Sequence, residues 1–181
     1  MIDPRAAIDD WAKVDHTVTI AAGTKVWQFA SVIRGAMIGM NCNIGAGAVI
    51  DGAIIGDDCK IGANAFIPPG VMIGRNVFVG PCAVFCNDQW PEVATNGFDI
   101  SILQRGEPCT IVHDYAAIGA NSTILPGFVI GEQAIVAAGA ELRSNVPAEC
   151  AYRVDGSIVF ESIERRRLMR MRLACQFEAA G

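Results

Sequence analysis

Between Ile55 and Phe85 the chain reads IGDDCKIGANAFIPPGVMIGRNVFVGPCAVF, with Ile55, Ile61, Ile67, Ile73, Val79 and Phe85 each six residues apart. A glycine follows directly at positions 56, 62, 74 and 80. A period of six fits neither the 3.6 residues of a helical turn nor the alternation of an ordinary strand, so it demands a repeat architecture. The phase runs back through Ile50, Ile44, Ile38, Val32, Val26, Ile20, Val14 and Ile8. One step, Ile50 to Ile55, is five residues. Either a corner near Gly52 and Ala53 is one residue short, or Val49 carries the phase. After Phe85 the period is lost, and it resumes at Val112, Ile118, Ile124, Ile130, Val136 and Leu142. That gap is not a multiple of six, so residues from about 87 to 110 leave the wall as a loop and return.

The position three residues beyond each apolar marker supplies a reason for the period. It holds Gly23, Gly35, Asn41, Gly47, Asp58, Asn64, Gly70, Asn76, Asn121, Gly127 and Gly139. Glycine and asparagine enter the left-handed backbone region at low cost, so each hexad is read as a short strand ended by a tight corner. Three strands close a triangular coil, and coils stack at the usual strand spacing with the aliphatic markers filling the interior. The markers are therefore core and not site candidates. Cys42 and Cys59 fall four residues after a marker, as do Ala48, Ala65, Ala83, Ala134 and Ala140, so they read as small buried residues.

The chain has 181 residues, enough for one domain with a substantial core. Hydrophobic residues make up 52% of it, yet no apolar run approaches the roughly 20 residues of a membrane span. The start, MIDPRAAIDDW, lacks the basic-then-apolar order of a signal peptide, which predicts residence in the cytoplasm. Seven cysteines without such a signal argue for reduced thiols. Cys82 and Cys86 have no second cysteine pair or histidine cluster nearby to complete a zinc site. Only His16 and His113 exist, too few for a three-histidine zinc centre. A net charge of −5 gives no general attraction to nucleic acid or anionic membranes. From about Phe160 to Glu178 glycine and proline disappear, and FESIERRRLMRMRLACQFE carries helical spacing. The expected organisation is a repeat domain over 1–156 and a capping helix over 157–181 that covers the open edge of the last coil.

IGANSTILPGFVIG, from Ile118 to Gly131, resembles the signature of the hexapeptide-repeat acyltransferases. That resemblance implies an all-β fold, a left-handed parallel β-helix with one protruding loop and a C-terminal α-helix. The handedness is the family's, since spacing alone would favour right-handed parallel crossovers. VWQFASVIRGAMIG, from Val26 to Gly39, and VFVGPCAVFCNDQWP, from Val77 to Pro91, resemble the nucleotide-amino-sugar 3-N-acetyltransferases of bacterial surface-polysaccharide synthesis. The resemblance implies acetyl-CoA as co-substrate, no metal, a nucleotide-linked amino sugar as acceptor, and a homotrimer with active sites between subunits. Gln28 resembles the position that marks the dTDP-sugar members, whereas the UDP-aminouronic-acid members carry histidine there. Asn87 and Asp88 match the family's Asn-Asp pair at the start of the loop. The chain departs from the pattern in three places: Glu92 follows the loop proline, Val154 to Ser157 replace a Gly-Asn-Pro-Ala segment, and Arg34 stands where proline or glutamate is usual.

Thioester aminolysis needs a neutral amine, a carbonyl within attacking distance and stabilisation of the oxyanion. An amine needs orientation more than a strong base, whereas an alcohol needs a base. The O-acetyltransferases of the same fold place a histidine where this chain has Asn87 and Asp88. We therefore read Asn87 as orienting a sugar amine, Asp88 as accepting from sugar hydroxyls or the ammonium, and Gln28 and Arg34 as substrate contacts. An Asx turn opening the loop is the plainer reading of the pair. His113, where the chain rejoins the wall, is the base of an alternative O-acetyltransferase, or simply a hydrogen-bonding residue at the loop base. Coenzyme A carries phosphates that call for cations or donors, and the resemblance places it along the later coils, which implies Arg143 and Arg153, with backbone groups at Gly119 and Ala137, as its contacts. A non-catalytic β-helix scaffold is the third reading.

Overall fold

A computed structural model describes residues 1–89, 91 and 108–161. These form a parallel β-helix of about seven coils. The first face stacks Ala7–Ile8, Lys25–Val26, Asn43–Ile44, Lys60–Ile61, Phe78–Val79, Ala117–Ile118, Ile135–Val136 and Cys150–Tyr152 in parallel. The second runs from Lys13–Val14 to Glu141–Leu142, and the third from Thr19–Ile20 to Val129–Ile130. Each strand turns one residue outward and buries the next, as Lys60 and Ile61 do. The buried residues are the markers. From Ile20 to Leu142 every one is at most 3% exposed, and only Ile8 and Val14, in the first coil, are partly open. Burying each such side chain is worth about 1.5–3 kcal/mol, and the columns multiply that gain.

The corners behave as the sequence requires. All eleven glycine, asparagine and aspartate positions named above have positive φ, between +54° and +91°. Phe29, Cys82, Tyr115, Gln133 and Glu149 adopt the same conformation at equivalent corners without the residue types that favour it. The glycine directly after a marker has another cause. At Gly119 an added Cβ would lie 2.2 Å from the backbone nitrogen of Ala138 in the next coil, so only hydrogen fits. Cys42 and Cys59 are buried, each thiol donating to a carbonyl of the coil above, Gly56 and Gly74, at 3.1 Å.

The five-residue step is a shortened corner. Ser31 pairs with Val49 eighteen positions on, but Met37 pairs with Ile54, seventeen on, and Ile50 rather than Val49 is buried. The carboxyl end differs from the expectation of a helix from 157. Ile158–Phe160 is a strand that turns back antiparallel on Cys150–Tyr152, through a turn in which Arg153 N–H donates to the Ser157 carbonyl. The last face-one strand thus gains a partner, and Tyr152 continues the buried column with its hydroxyl donating to the Glu141 carbonyl at 2.9 Å. The remainder of the expected helix, and most of the loop over 87–110, lie outside the described residues.

Candidate active site

Three corners run the length of the prism: from first to second face, from second to third, and from third back to first. The second corner departs most from regularity. Going up it, the coils contribute Arg34, then Asp51 and Gly52, then Pro68 and Pro69, then Cys86 and Asn87, and then Leu125 and Pro126. Here one coil loses a residue and the next but one gains the loop.

The loop base is pinned to one carbonyl. Asn87 Nδ2 donates to Pro69 O at 3.1 Å, and the thiol of Cys109, just before the returning strand, lies 3.8 Å from the same oxygen. Cys109 N–H donates to Gly70 O at 2.8 Å, and Gly127 N–H donates to Cys109 O at 2.6 Å. Proline at 69 suits this role, since a residue that donates no N–H still offers its carbonyl. The amide group of Asn87 is thereby oriented, and Asp88 follows it half-buried. Burial pushes the thiols of Cys86 and Cys109 up, so both stay protonated at neutral pH.

Arg34 stands on this same corner. It forms a two-pronged ion pair with Asp51, Nε to Oδ1 and Nη2 to Oδ2. The Asp51 carboxylate is 5% exposed and the Arg34 side chain 67%. Arg143 ends the corner, tied to Glu141 at 2.7 Å.

The other sequence candidates lie elsewhere. His113 is on the third corner, its N–H donating to Ile130 O, in a groove of about 570 Å³ shared with Asp57, Asp58, Arg75, Asp114 and Glu132. Asp114 accepts from the backbone N–H of Arg75 at 2.8 Å and from its guanidinium at 3.1 and 3.2 Å. That N–H first, and then the guanidinium, hold its carboxyl below the usual range. Gln28, Gly119 and Ala137 are on the first corner. Gln28 accepts Gly47 N–H through its backbone, and Ala137 N–H donates to Tyr152 O. Arg153 is in the terminal hairpin turn.

One chain therefore joins Asn87, Asp88 and Arg34 on one edge and holds His113 and Gln28 on the other two. Asp51, Pro69 and Cys109 belong to the site without standing out in the sequence. The signal for Asp51 is the short step beside it. Pro69 and Cys109 act through a backbone oxygen and a contact across forty positions, which spacing does not reveal. Among the described residues no group of three histidine, cysteine or acidic side chains is arranged to hold a metal, and no helix is long and apolar enough to cross a membrane.

Two family profiles match the chain: the C-terminal domain of GMPPB over residues 1–89, and the bacterial transferase hexapeptide (six repeats) over residues 109–144. No curated protein matches. Solved structures with the same fold include LpxA, a UDP-N-acetylglucosamine acyltransferase from Bacteroides fragilis. It is 18% identical, with TM-score 0.58 over 94% of this chain and 78% of that one. PerB from Caulobacter crescentus, in complex with CoA and GDP-perosamine, is 19% identical with TM-score 0.56, over 85% of this chain and 56% of PerB. The chain thus spans just over half of PerB. A point mutant of AntD, an N-acyltransferase from Bacillus cereus, in complex with dTDP and coenzyme A, is 15% identical with TM-score 0.54, over 97% of this chain and 91% of AntD.

Proposed function

We propose that this hexapeptide-repeat chain is an acetyl-CoA-dependent N-acetyltransferase acting on the 3-amino group of a dTDP- or UDP-linked amino sugar, in the cytoplasmic synthesis of a surface polysaccharide. The observation that carries the reading is the Asn87–Asp88 pair at the break in the repeat, with the Asn87 amide held by Pro69. Fixing the Nδ2 end on a carbonyl leaves Oδ1 as the end that chemistry needs, an acceptor for an amine N–H. The amine lone pair then attacks the thioester carbonyl, the C–S bond breaks, and the amine proton passes to the departing thiolate. Asp88 meets the ammonium or a sugar hydroxyl before the proton is lost.

The prism geometry favours a site between copies of the chain. Gln28, Gly119 and Ala137 stand on one edge of the chain and Asn87 on another, and the resemblance to enzymes with active sites between subunits supports bringing the two sets together across a subunit contact. Two copies packed edge to face bring both sets together. The third face offers a surface for this: Met37, Ile54, Met72, Ile111 and Val129 point outward in register, and the first three are 39–49% exposed. An apolar stripe of that length flanking the second corner suits a contact between copies, and the family resemblance makes the proposed assembly a homotrimer. Arg143 and Arg153 supply cations for the phosphates of coenzyme A, and Gln28 and Arg34 meet the sugar nucleotide.

A second reading rests on His113. Its groove, rich in carboxylates, is where an imidazole serves as base toward a hydroxyl, which would make the protein a sugar O-acetyltransferase. Thiol release from acetyl-CoA with a panel of dTDP-, UDP- and GDP-linked amino and hydroxyl sugars separates the readings. Turnover of an amino sugar is expected. Turnover of a hydroxyl sugar that vanishes in His113→Ala would move the assignment to the second reading. Absence of any turnover and of acetyl-CoA binding would leave a non-catalytic scaffold.

A further inference from the structure

The short coil at residues 51–53 does more than drop a residue from the wall. We infer that Asp51 is a positioning residue that holds Arg34 as the receptor for the diphosphate of the nucleotide sugar; this rests on the substrate class proposed above. Four features of the same corner meet here. The Asp51 carboxylate is 95% withdrawn from water, the one charged side chain buried among the described residues, and both its oxygens are engaged by Arg34. Such a carboxylate is costly to bury without its partner, so the pair is locked. Arg34 itself has φ +51°, a conformation a long side chain rarely takes. Gly52 follows with φ +59°, its N–H donating to Ile33 O, and a Cβ added there would lie 3.2 Å from Arg34 O. Deletion, glycine and left-handed arginine together fix the direction in which the guanidinium leaves the wall.

The consequence is chemical. The fork to Asp51 uses Nε and Nη2, one N–H each, and a guanidinium has five. Three N–H donors therefore stay available on a side chain that is 67% exposed, in the planar array that suits phosphate oxygens. Asp51 stands two coil steps below Asn87 on the same edge, roughly 10 Å at the strand spacing. That is about the span of a hexose ring and its diphosphate, so an amine at Asn87 sets the phosphates beside Arg34. One coil below Arg34, Asp15 is occupied: it accepts Thr17 N–H at 3.1 Å and sits 2.8 Å from His16 Nδ1. Its charge is thereby partly met within its own turn. Arg75, in its pair with Asp114 on the third corner, is as exposed, at 66%. What sets Arg34 apart is the buried carboxylate it holds and the edge it shares with the loop base.

The test is calorimetric titration of the full chain with dTDP, UDP and GDP, which carry the diphosphate without the sugar. Arg34→Gln should weaken the preferred nucleotide by about tenfold or more, the loss of a charge-assisted bidentate contact. Asp51→Asn, which keeps one acceptor, should weaken it by about threefold, and the double variant no further than Arg34→Gln alone, because Asp51 acts through Arg34. Arg34→Lys should restore part of the affinity. Nucleotide affinities within twofold of the parent in both folded single variants would overturn the inference, as would failure of the parent to bind any of the three. Thiol release with free amino sugars tests the acetyl-transfer reading separately. Turnover of those amines, without nucleotide binding, would sink the role of Arg34 and leave the reaction class standing.

Discussion

The first and third corners of the prism repeat; the second does not. On the two more regular edges most coils place a glycine against the backbone of the next, as at Gly119 beneath Ala138, with Trp27 and His113 as exceptions. On the second edge the coils bring in turn an ion pair, a shortened turn, a proline pair and a long insertion. The contrast teaches where to look in a fold whose core is nearly uniform. On the regular edges a substitution is expected to show first in stability, and on the irregular edge, in the reading proposed above, first in chemistry.

The largest effect should come from the shared interior. Ile118→Asp puts an unpaired carboxylate in a fully buried column, and should leave the protein unfolded or aggregated at about 25 °C in a circular-dichroism melt. Next, on a regular edge, Gly119→Ala forces a Cβ against backbone 2.2 Å away. It should cost at least about 1–3 kcal/mol by denaturant unfolding, the range for overpacking. If Gly119 contacts coenzyme A as well, the KM for acetyl-CoA in the surviving folded fraction will rise too. An unchanged KM would confine the residue to packing.

On the irregular edge the balance should reverse. Asn87→Ala removes one hydrogen bond to Pro69, about 1 kcal/mol of stability, yet should lower kcat for an amino sugar by about a hundredfold if its amide orients the amine. Full activity in this variant would return Asn87 to the role of a loop anchor.

How much of this contrast the sequence shows depends on range. The marker period reveals the core, and Gly or Asn three residues later reveals most corners, because both are local consequences of backbone sterics. Phe29 and Tyr115 hide two equivalent corners. Their N–H groups donate to Trp11 O and Arg75 O of the coil before, and that pairing overrides residue preference. The terminal hairpin reads in sequence as the start of a helix because Ile158–Phe160 precede a helix-favouring run, and antiparallel pairing with Cys150–Tyr152 outweighs that bias. At the candidate site, Asn87 and Asp88 are proposed from the break in period and the family resemblance. Asp51 and the Pro69 carbonyl are not legible in this way, because each matters only through a residue seventeen or eighteen positions away, one coil along.

The smallest effect separates the third corner from the second by acid. Asp114 accepts the Arg75 N–H and guanidinium, which hold its carboxyl below the usual carboxylate range in the folded chain. A carboxylate lowered on folding adds stability that is complete above its unfolded pKa and is lost as pH falls through the folded value. Asp114 is exposed enough for solvent to screen most of the interaction. Asp114→Asn should therefore lower the melting temperature slightly at about pH 6 and leave it closer to the parent at about pH 3, so that the two curves converge on acidification. The convergence belongs to the regular edge, which uses its charges to fasten coil to coil. Asp51→Asn should instead be accompanied by weaker nucleoside diphosphate binding at neutral pH.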